Sequence, residues 1–260
     1  MLDALLFDLD ETLTEEVQPV LTALRATARE AEARYGIADG ALAATVPERA
    51  RELWRAGALH TYCLALGISS WEGLWCRFQG EAPELAALRA WTPSYRSAAW
   101  AAALATFGIQ DEQLASELAE RFGRERRARH AVFGDAAPAL EWARRHYGKL
   151  ALVTNGASCL QREKLAASGL ARYFDVIVVS GEVGVGKPAA PIYTQTLELL
   201  GVRAAAAAMI GDSLERDVEG ARAAGLHAVW INRSRREPAT PRPRLEIETL
   251  HRLPEALAML

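Results

Sequence analysis

The sequence predicts an α/β protein in which a doubly wound parallel sheet, with helices on both faces, carries an inserted all-helical domain. Three observations lead to this reading. An uninterrupted apolar run, Ala4-Leu5-Leu6-Phe7, lies near the start of the chain and reads as a strand buried on both faces. From about residue 130 onward, short apolar runs alternate with helix-length stretches, the pattern of repeated strand-helix-strand units. Between them, residues 17–129 are rich in Ala, Leu, Arg and Glu, with apolar residues at three- and four-residue steps and no strand-like alternation. The expected division is therefore a sheet domain made of residues 1–16 and 130–260, interrupted by a helical domain over 17–129.

Each element has its own signal. Within the helical block, breaks fall near Gly36, Pro47, Gly57, Gly67, Gly80, Pro93 and Gly108. Helices are expected over Val20 to Tyr35, Ser94 to Phe107 and Asp111 to Arg127, the last with Asp111 as N-cap. Pro138 to Tyr147 then predicts a helix, Lys149 to Val153 a short buried strand, and Ser158 to Ser168 a helix closed by Gly169. Val176 to Val179 is the next strand and Pro191 to Leu200 the next helix, stopped by Gly201. Ala206 to Ile210 follows as a strand despite its alanines, then a helix from Glu215 to Ala224, then the strand Ala228 to Ile231. Ser234 to Arg244, with Pro238, Pro241 and Pro243, reads as a solvated surface loop, Leu245 to Thr249 as an edge strand and Pro254 to Leu260 as a terminal helix. This succession of strands is that of a Rossmann-like sheet.

Composition narrows the function. Half of the 260 residues are apolar, enough for a sizeable core. A net charge of -3 spread over both signs argues against nucleic acid or a membrane surface as the partner. The three cysteines, Cys63, Cys76 and Cys159, lack a CxxC spacing and read as free thiols in a reducing compartment. With no basic leader and no apolar stretch of about eighteen residues, a cytoplasmic protein is expected.

In an open parallel sheet, ligands bind beyond the carboxyl ends of the strands. After the first strand come Asp8 and Asp10, after Val153 come Thr154-Asn155-Gly156, and after Ile210 come Gly211-Asp212-Ser213, with Asp217 one turn on. Lys187 sits in the glycine-rich Gly181-Glu182-Val183-Gly184-Val185-Gly186-Lys187-Pro188, between a strand and a helix. Carboxylates suit a hard divalent cation such as Mg2+, and a hydroxyl, backbone amides and one ammonium suit phosphoryl oxygens. One carboxylate can attack phosphorus while a second protonates the leaving alcohol and later activates water. Each part also has a plain structural use: Asp10-Glu11-Thr12 and Thr154-Asn155-Gly156 as turns, Asp212 and Ser213 as helix caps, Lys187 as exposed loop charge. The glycine-rich loop is neither GxGxxG nor a Walker A sequence, which excludes it as a dinucleotide or nucleoside-triphosphate signature.

Taken in order, Asp8-Leu9-Asp10-Glu11-Thr12, Thr154-Asn155-Gly156, Lys187-Pro188 and Gly211-Asp212-Ser213-Leu214-Glu215-Arg216-Asp217 resemble the four motifs of the haloacid dehalogenase superfamily of hydrolases. The C-terminal run through Val229-Trp230-Ile231-Asn232 is similar to that of its N-acylneuraminate-9-phosphatase and pyrimidine-nucleotidase-like branch. The resemblance implies Asp8 as nucleophile and Asp10 as general acid/base. It implies Thr154, Asn155 and Lys187 as phosphate-binding residues, and Mg2+ held by Asp8, Asp10 through its carbonyl, and Asp212, with Ser213 and Asp217 in support. The helical block then corresponds to the superfamily's cap, expected to move as a unit and to select substrate. Glu11 stands where many relatives carry glycine.

The reading is thus a Mg2+-dependent phosphatase acting on a small phosphorylated metabolite through an aspartyl-phosphate, as a monomer or homodimer. A 2-haloacid dehalogenase is the first alternative, though Asp10 argues against it because dehalogenases of this superfamily lack the second acid. A phosphomutase and a non-catalytic binding module are the others. Trp54, Trp71, Trp75, Trp91, Trp100, His60 and Arg96 either line a substrate pocket or form the core of the helical block.

Overall fold

In the computed structural model, which describes residues 2–237 and 243–260, the chain begins with β1 (Ala4–Phe7) and the two-residue β2 (Thr14–Glu15). Six helices follow: α1 (Val17–Tyr35), α2 (Ala41–Ala56), α3 (His60–Leu66), α4 (Ser70–Gly73), α5 (Pro83–Ala105) and α6 (Glu112–Arg127). Then come β3 (Ala131–Val132), α7 (Ala136–His146), β4 (Lys149–Thr154), α8 (Ser158–Ser168), β5 (Val176–Val179), α9 (Ser180–Val183) and α10 (Ala190–Leu200). The chain ends with β6 (Ala207–Gly211), α11 (Gly220–Ala223), β7 (His227–Ile231), β8 (Glu246–Ile247) and α12 (Leu253–Leu257). Of the proline-rich loop expected over 234–244, Pro238 and Pro241 lie outside the described residues.

Two compact units emerge. One comprises the chain up to Glu15, Ala131–Gly156 and Gln161–Leu260; the other comprises Glu16–His130 with Ala157–Leu160.

The first unit is built on a six-stranded sheet in the order β5-β4-β1-β6-β7-β8, every neighbouring pair parallel. Successive residues of a strand face opposite sides, and here both sides are apolar. Leu5 and Phe7 pack with Leu150, Leu152, Ala208 and Ile210 on one face, beneath α7 and α12. Ala4 and Leu6 pack with Ala151, Val153, Ala207 and Met209 on the other, beneath α10 and α11. All four residues of β1 are fully buried, and each such Leu or Phe contributes about 2 kcal/mol. That anchors the strand whose end carries Asp8. Strand order reverses at β1, so the crevice lies where β1 and β6 end. The alanines of β6 are no obstacle to strand formation, because the strand is flanked by β1 and β7 and covered on both faces. β2 and β3 pair antiparallel, Thr14 opposite Val132; two residues each are too short to leave a periodic signal.

The second unit is helical throughout, with one hydrophobic core. Trp54, Trp75 and Trp100 are buried in it, and Trp71 and Trp91 pack against it, so these five tryptophans belong to the core. Arg96 donates to the carbonyls of Gly73 and Cys76, which makes it a brace for the segment after α4. Pro47 and Pro93, expected as breaks, lie inside α2 and α5. Each removes one helical hydrogen bond, but around Pro93 the stacked Trp91 and Tyr95, both against Trp54, hold the helix together across it. Cys63 and Cys76 are buried and Cys159 half-buried, and all three are free thiols.

Candidate active site

Just past the end of β1, Asp8 is buried, and its Oδ1 accepts a hydrogen bond from Lys187 Nζ at 2.6 Å. The same ammonium donates to Asp217 Oδ1 at 2.6 Å, and the other Asp217 oxygen accepts from the Ser213 backbone N–H at 2.9 Å. Asp212 completes the group: carboxylate oxygens of Asp8, Asp212 and Asp217 lie within 4.8 Å of one another. The Asp212 carbonyl is fixed by Trp230 Nε1 at 2.8 Å and by Arg236 Nη2 at 3.0 Å. Residues more than two hundred positions apart thus converge at one rim of the sheet.

The electrostatics follow from the count of charges. Three carboxylates share one ammonium at this rim. Burial, reinforced by Asp217 and Asp212 against the pull of Lys187, pushes the Asp8 carboxyl up to about 8. Burial and Asp217 push Asp212 up to about 6, with Arg236 and Lys187 opposing. Burial alone lowers the Lys187 ammonium, but Asp217 and Asp8 outweigh it and leave it raised. When all three are ionised the carboxylates outnumber the two cations that touch them, Lys187 and, at 3.3 Å from Asp212 Oδ2, Arg236, and the donors are all hard oxygens, so the cluster fits a divalent cation such as Mg2+ in both charge and chemistry.

The lysine is held from behind. Asn155 Nδ2 donates to the Lys187 carbonyl and Asn155 Oδ1 accepts the Lys187 N–H, both at 2.8 Å. The Asn155 side chain therefore clamps the backbone that carries the ammonium, which leaves its main chain as the part able to face a phosphate. Gly186 permits this clamp, since a Cβ there would lie 2.8 Å from Asn155 Nδ2. Thr154, at the end of β4, is buried with its hydroxyl at 3.5 Å from the Asn155 carbonyl, a weak contact. Ser213 accepts the Arg216 N–H as an N-cap while its own N–H steadies Asp217. The helix expected over Glu215 to Ala224 opens instead as a π-turn, Leu214–Glu219, before α11. Both the Asp217 and the Val218 N–H reach the Ser213 carbonyl, and the Asp217 side chain folds back onto the Ser213 N–H.

Asp10 stands apart from the three-carboxylate group. Both its oxygens accept from Lys164 Nζ, at 2.9 and 3.1 Å, and Oδ2 accepts from Gln161 Nε2 at 3.2 Å. Two residues apart in an extended chain would share a face, but β1 has already ended at Phe7 and the chain turns. The turn is tight: Leu13 and Thr14 both return N–H groups to the Leu9 carbonyl, and Glu11 sits at φ 58°, the left-handed region glycine prefers. Arg233 braces this turn from outside, donating to the Thr12 carbonyl and, bidentately, to Asp135.

Gln161, Lys164 and Arg233 escaped the sequence reasoning. Gln161 and Lys164 are three apart on α8 and so share a helix face, a spacing indistinguishable from an ordinary polar stripe. Arg233 meets Asp135 across 98 residues, with no local pattern to announce it.

A six-stranded parallel sheet with carboxylates, a lysine and a Thr-Asn-Gly turn at its strand ends defines a hydrolase of the haloacid dehalogenase type. The chain belongs to that family: residues 2–225 match the haloacid dehalogenase-like hydrolases. It is similar to the phosphoserine phosphatase of Thermus thermophilus, at 41% identity over 232 residues, 89% of each chain. It is also similar to the N-acylneuraminate-9-phosphatase of Mus musculus, at 37% identity over 62% of this chain and 67% of that protein. Among solved structures, a phosphatase of the same superfamily from Thermococcus onnurineus is 30% identical over 98% of both chains, with a TM-score of 0.55. The magnesium-bound hydrolase YfnB from Bacillus subtilis, 24% identical over 98% of both chains with a TM-score of 0.68, shares the fold. Among the described residues no helix is long and apolar enough to cross a membrane.

Proposed function

We propose that the protein is a phosphatase that hydrolyses a small phosphomonoester through an aspartyl-phosphate on Asp8. The observation that carries the reading is the buried Asp8-Lys187-Asp217 group with Asp212 beside it, at the rim where an open sheet binds its ligand. Asp8 Oδ attacks phosphorus, and the bond from phosphorus to the substrate's oxygen breaks. Asp10 hands its proton to that departing oxygen. A water then gives a proton to Asp10 and attacks the phosphorus, releasing phosphate and restoring Asp8. The Thr154 hydroxyl, the amides after it and the Lys187 ammonium hold the phosphoryl oxygens in the meantime. Asp8, Asp212 and the Asp10 carbonyl would hold Mg2+, with Asp217 in support, since both of its oxygens are engaged by Lys187 and Ser213. When bound, the ion supplies positive charge to the phosphoryl group. The helical insert acts as the cap that selects substrate.

O-phosphoserine is the first substrate on this reading. The Thermus phosphatase aligns over 232 of this chain's 260 residues, so that alignment takes in most of the helical insert, whereas the mouse phosphatase aligns over only 166 residues. Phosphate release from O-phosphoserine and from a panel of sugar and nucleotide monophosphates, with Mg2+ or with EDTA, tests it. Turnover that needs Mg2+ and is abolished by Asp8→Asn is the expected result. Metal-independent turnover surviving that substitution, or chloride release from 2-haloacids without any phosphate release, would overturn it.

A further inference from the structure

Lys164 is an ammonium buried to 3% exposure, and it is aimed at a carboxylate outside the three-carboxylate group. Its Nζ lies 3.1 Å from Asp10 Oδ1 and 2.9 Å from Oδ2. One helical turn earlier, the equally buried Gln161 shares its amide between Asp10 Oδ2, at 3.2 Å, and the Asn155 carbonyl, at 3.0 Å. The segment that follows the Thr154-Asn155-Gly156 turn therefore also fixes the second acid. Taking an ammonium out of water costs several kcal/mol, and apolar residues at such positions are often as stable or more so, so stability alone does not account for a buried lysine here.

We infer that Lys164, assisted by Gln161, is a positioning residue for Asp10: it fixes the carboxyl and answers the charge that appears there during the reaction. This rests on the phosphatase reading above. In the first half of the reaction the Asp10 O–H bond breaks and a new O–H bond forms on the departing alkoxide. The negative charge passes from that oxygen to the Asp10 carboxylate, where the Lys164 ammonium lies, itself staying protonated throughout. In the second half the carboxylate accepts a proton from the attacking water and the charge disappears again.

The leaving group provides the test. An alkoxide needs a proton as it departs, whereas p-nitrophenolate leaves without one, so a displaced acid harms the alkyl ester selectively. The first half-reaction is read by kcat/KM for O-phosphoserine and for p-nitrophenyl phosphate. Lys164→Met is expected to lower kcat/KM for the alkyl ester by about 10- to 100-fold and that for the aryl ester by less than about 3-fold. Asp10→Asn should show the same selectivity, and Lys164→Arg should recover part of the loss. Equal losses on both esters, or none on either, would overturn the inference, since a merely structural lysine does not distinguish leaving groups. A crystal structure of the Lys164→Met protein gives a readout that does not depend on activity: the Asp10 carboxyl should leave its present position, and a carboxyl found unmoved would overturn the inference by itself. Wild-type protein inactive on both esters and on the whole panel of sugar and nucleotide monophosphates would defeat the phosphatase reading and, with it, the catalytic part of this one, while an alkyl phosphate from that panel that does turn over takes the place of O-phosphoserine in the comparison.

Discussion

Gly211→Ala should disable the site through a single methyl group. A Cβ built on Gly211 would lie 2.2 Å from Asp217 Cγ, 2.4 Å from Oδ2 and 2.5 Å from its Cβ. Ordinary contact begins near 3.4 Å, so the Asp217 carboxyl must retreat by about 1 Å or more. It cannot do so and keep both the 2.6 Å bond from Lys187 and the 2.9 Å bond from the Ser213 N–H. Overpacking costs about 1 to 3 kcal/mol, and loss of one charge-assisted hydrogen bond about 1.5 to 3. With partial relaxation, a loss of about 3 kcal/mol in urea unfolding is expected. Lys187 keeps only its Asp8 contact and drifts, so kcat should fall about 100-fold, the usual effect of an ångström of misplacement. The companion variant Gly211→Ala/Asp217→Gly removes all three clashing atoms, the Asp217 Cβ included, together with the carboxylate. It should recover a substantial part of the lost stability but none of the activity, a coupling that a double-mutant cycle measures. A Gly211→Ala protein within about 0.5 kcal/mol of wild type and more than half as active would refute the reasoning.

Other predictions concern the surroundings of the site. Burial raises the Asp135 carboxyl, but the Arg233 hydrogen bonds and the Leu250 N–H outweigh it, leaving its pKa below the ordinary value. The stabilisation from a depressed acid is fully present above the unfolded value, about 3.9, and is lost as pH falls through the lower folded value. Asp135→Asn should therefore cost about 3 kcal/mol at pH 7, with the difference from wild type shrinking in urea titrations below about pH 4; a constant difference down to pH 3 would contradict this. Glu11→Gly should stabilise the protein by up to about 1 kcal/mol, because Glu11 holds a φ of 58°, and a lowered midpoint in urea would count against it. Burial pushes the Cys63 thiol up to about 12, and the Cys159 contact at 3.7 Å, with burial, raises that of Cys76. A thiol-disulfide reagent at pH 8 should modify these two only as the protein unfolds, and rapid titration of all three thiols in the native state would be the opposite result.

Much of the sheet could be read in advance because its signals are local. The run Ala4 to Phe7 and the blocks Val176 to Val179 and Ser158 to Ser168 fall where β1, β5 and α8 lie. Asp8 and Asp212 could be named for the same reason, since each directly follows a buried strand, β1 or β6, and polar residues there have few other places to go. What escaped was set by tertiary contact. Pro93 marks a break in any linear reading, yet α5 runs from Pro83 to Ala105 because packing on both sides of the proline sustains it. The turn after Asp212 took a wider helical pitch because Asp217 must fold back onto Ser213. The resemblance implies Asn155 as a phosphate-binding residue, but no local pattern announces that its side chain pairs with the backbone of Lys187, 32 residues away. Lys164 and Gln161 carried no signal beyond an ordinary helical face, and only the folded chain brings them to Asp10.

The nucleophile itself can be asked directly. Protein quenched in acid during turnover of O-phosphoserine, then digested and weighed by mass spectrometry, should carry one phosphoryl group on the peptide containing Asp8, labile at neutral pH and missing from Asp8→Asn. Phosphate released at full rate with no phosphoryl group on any peptide, or with the group on another residue, would contradict the account.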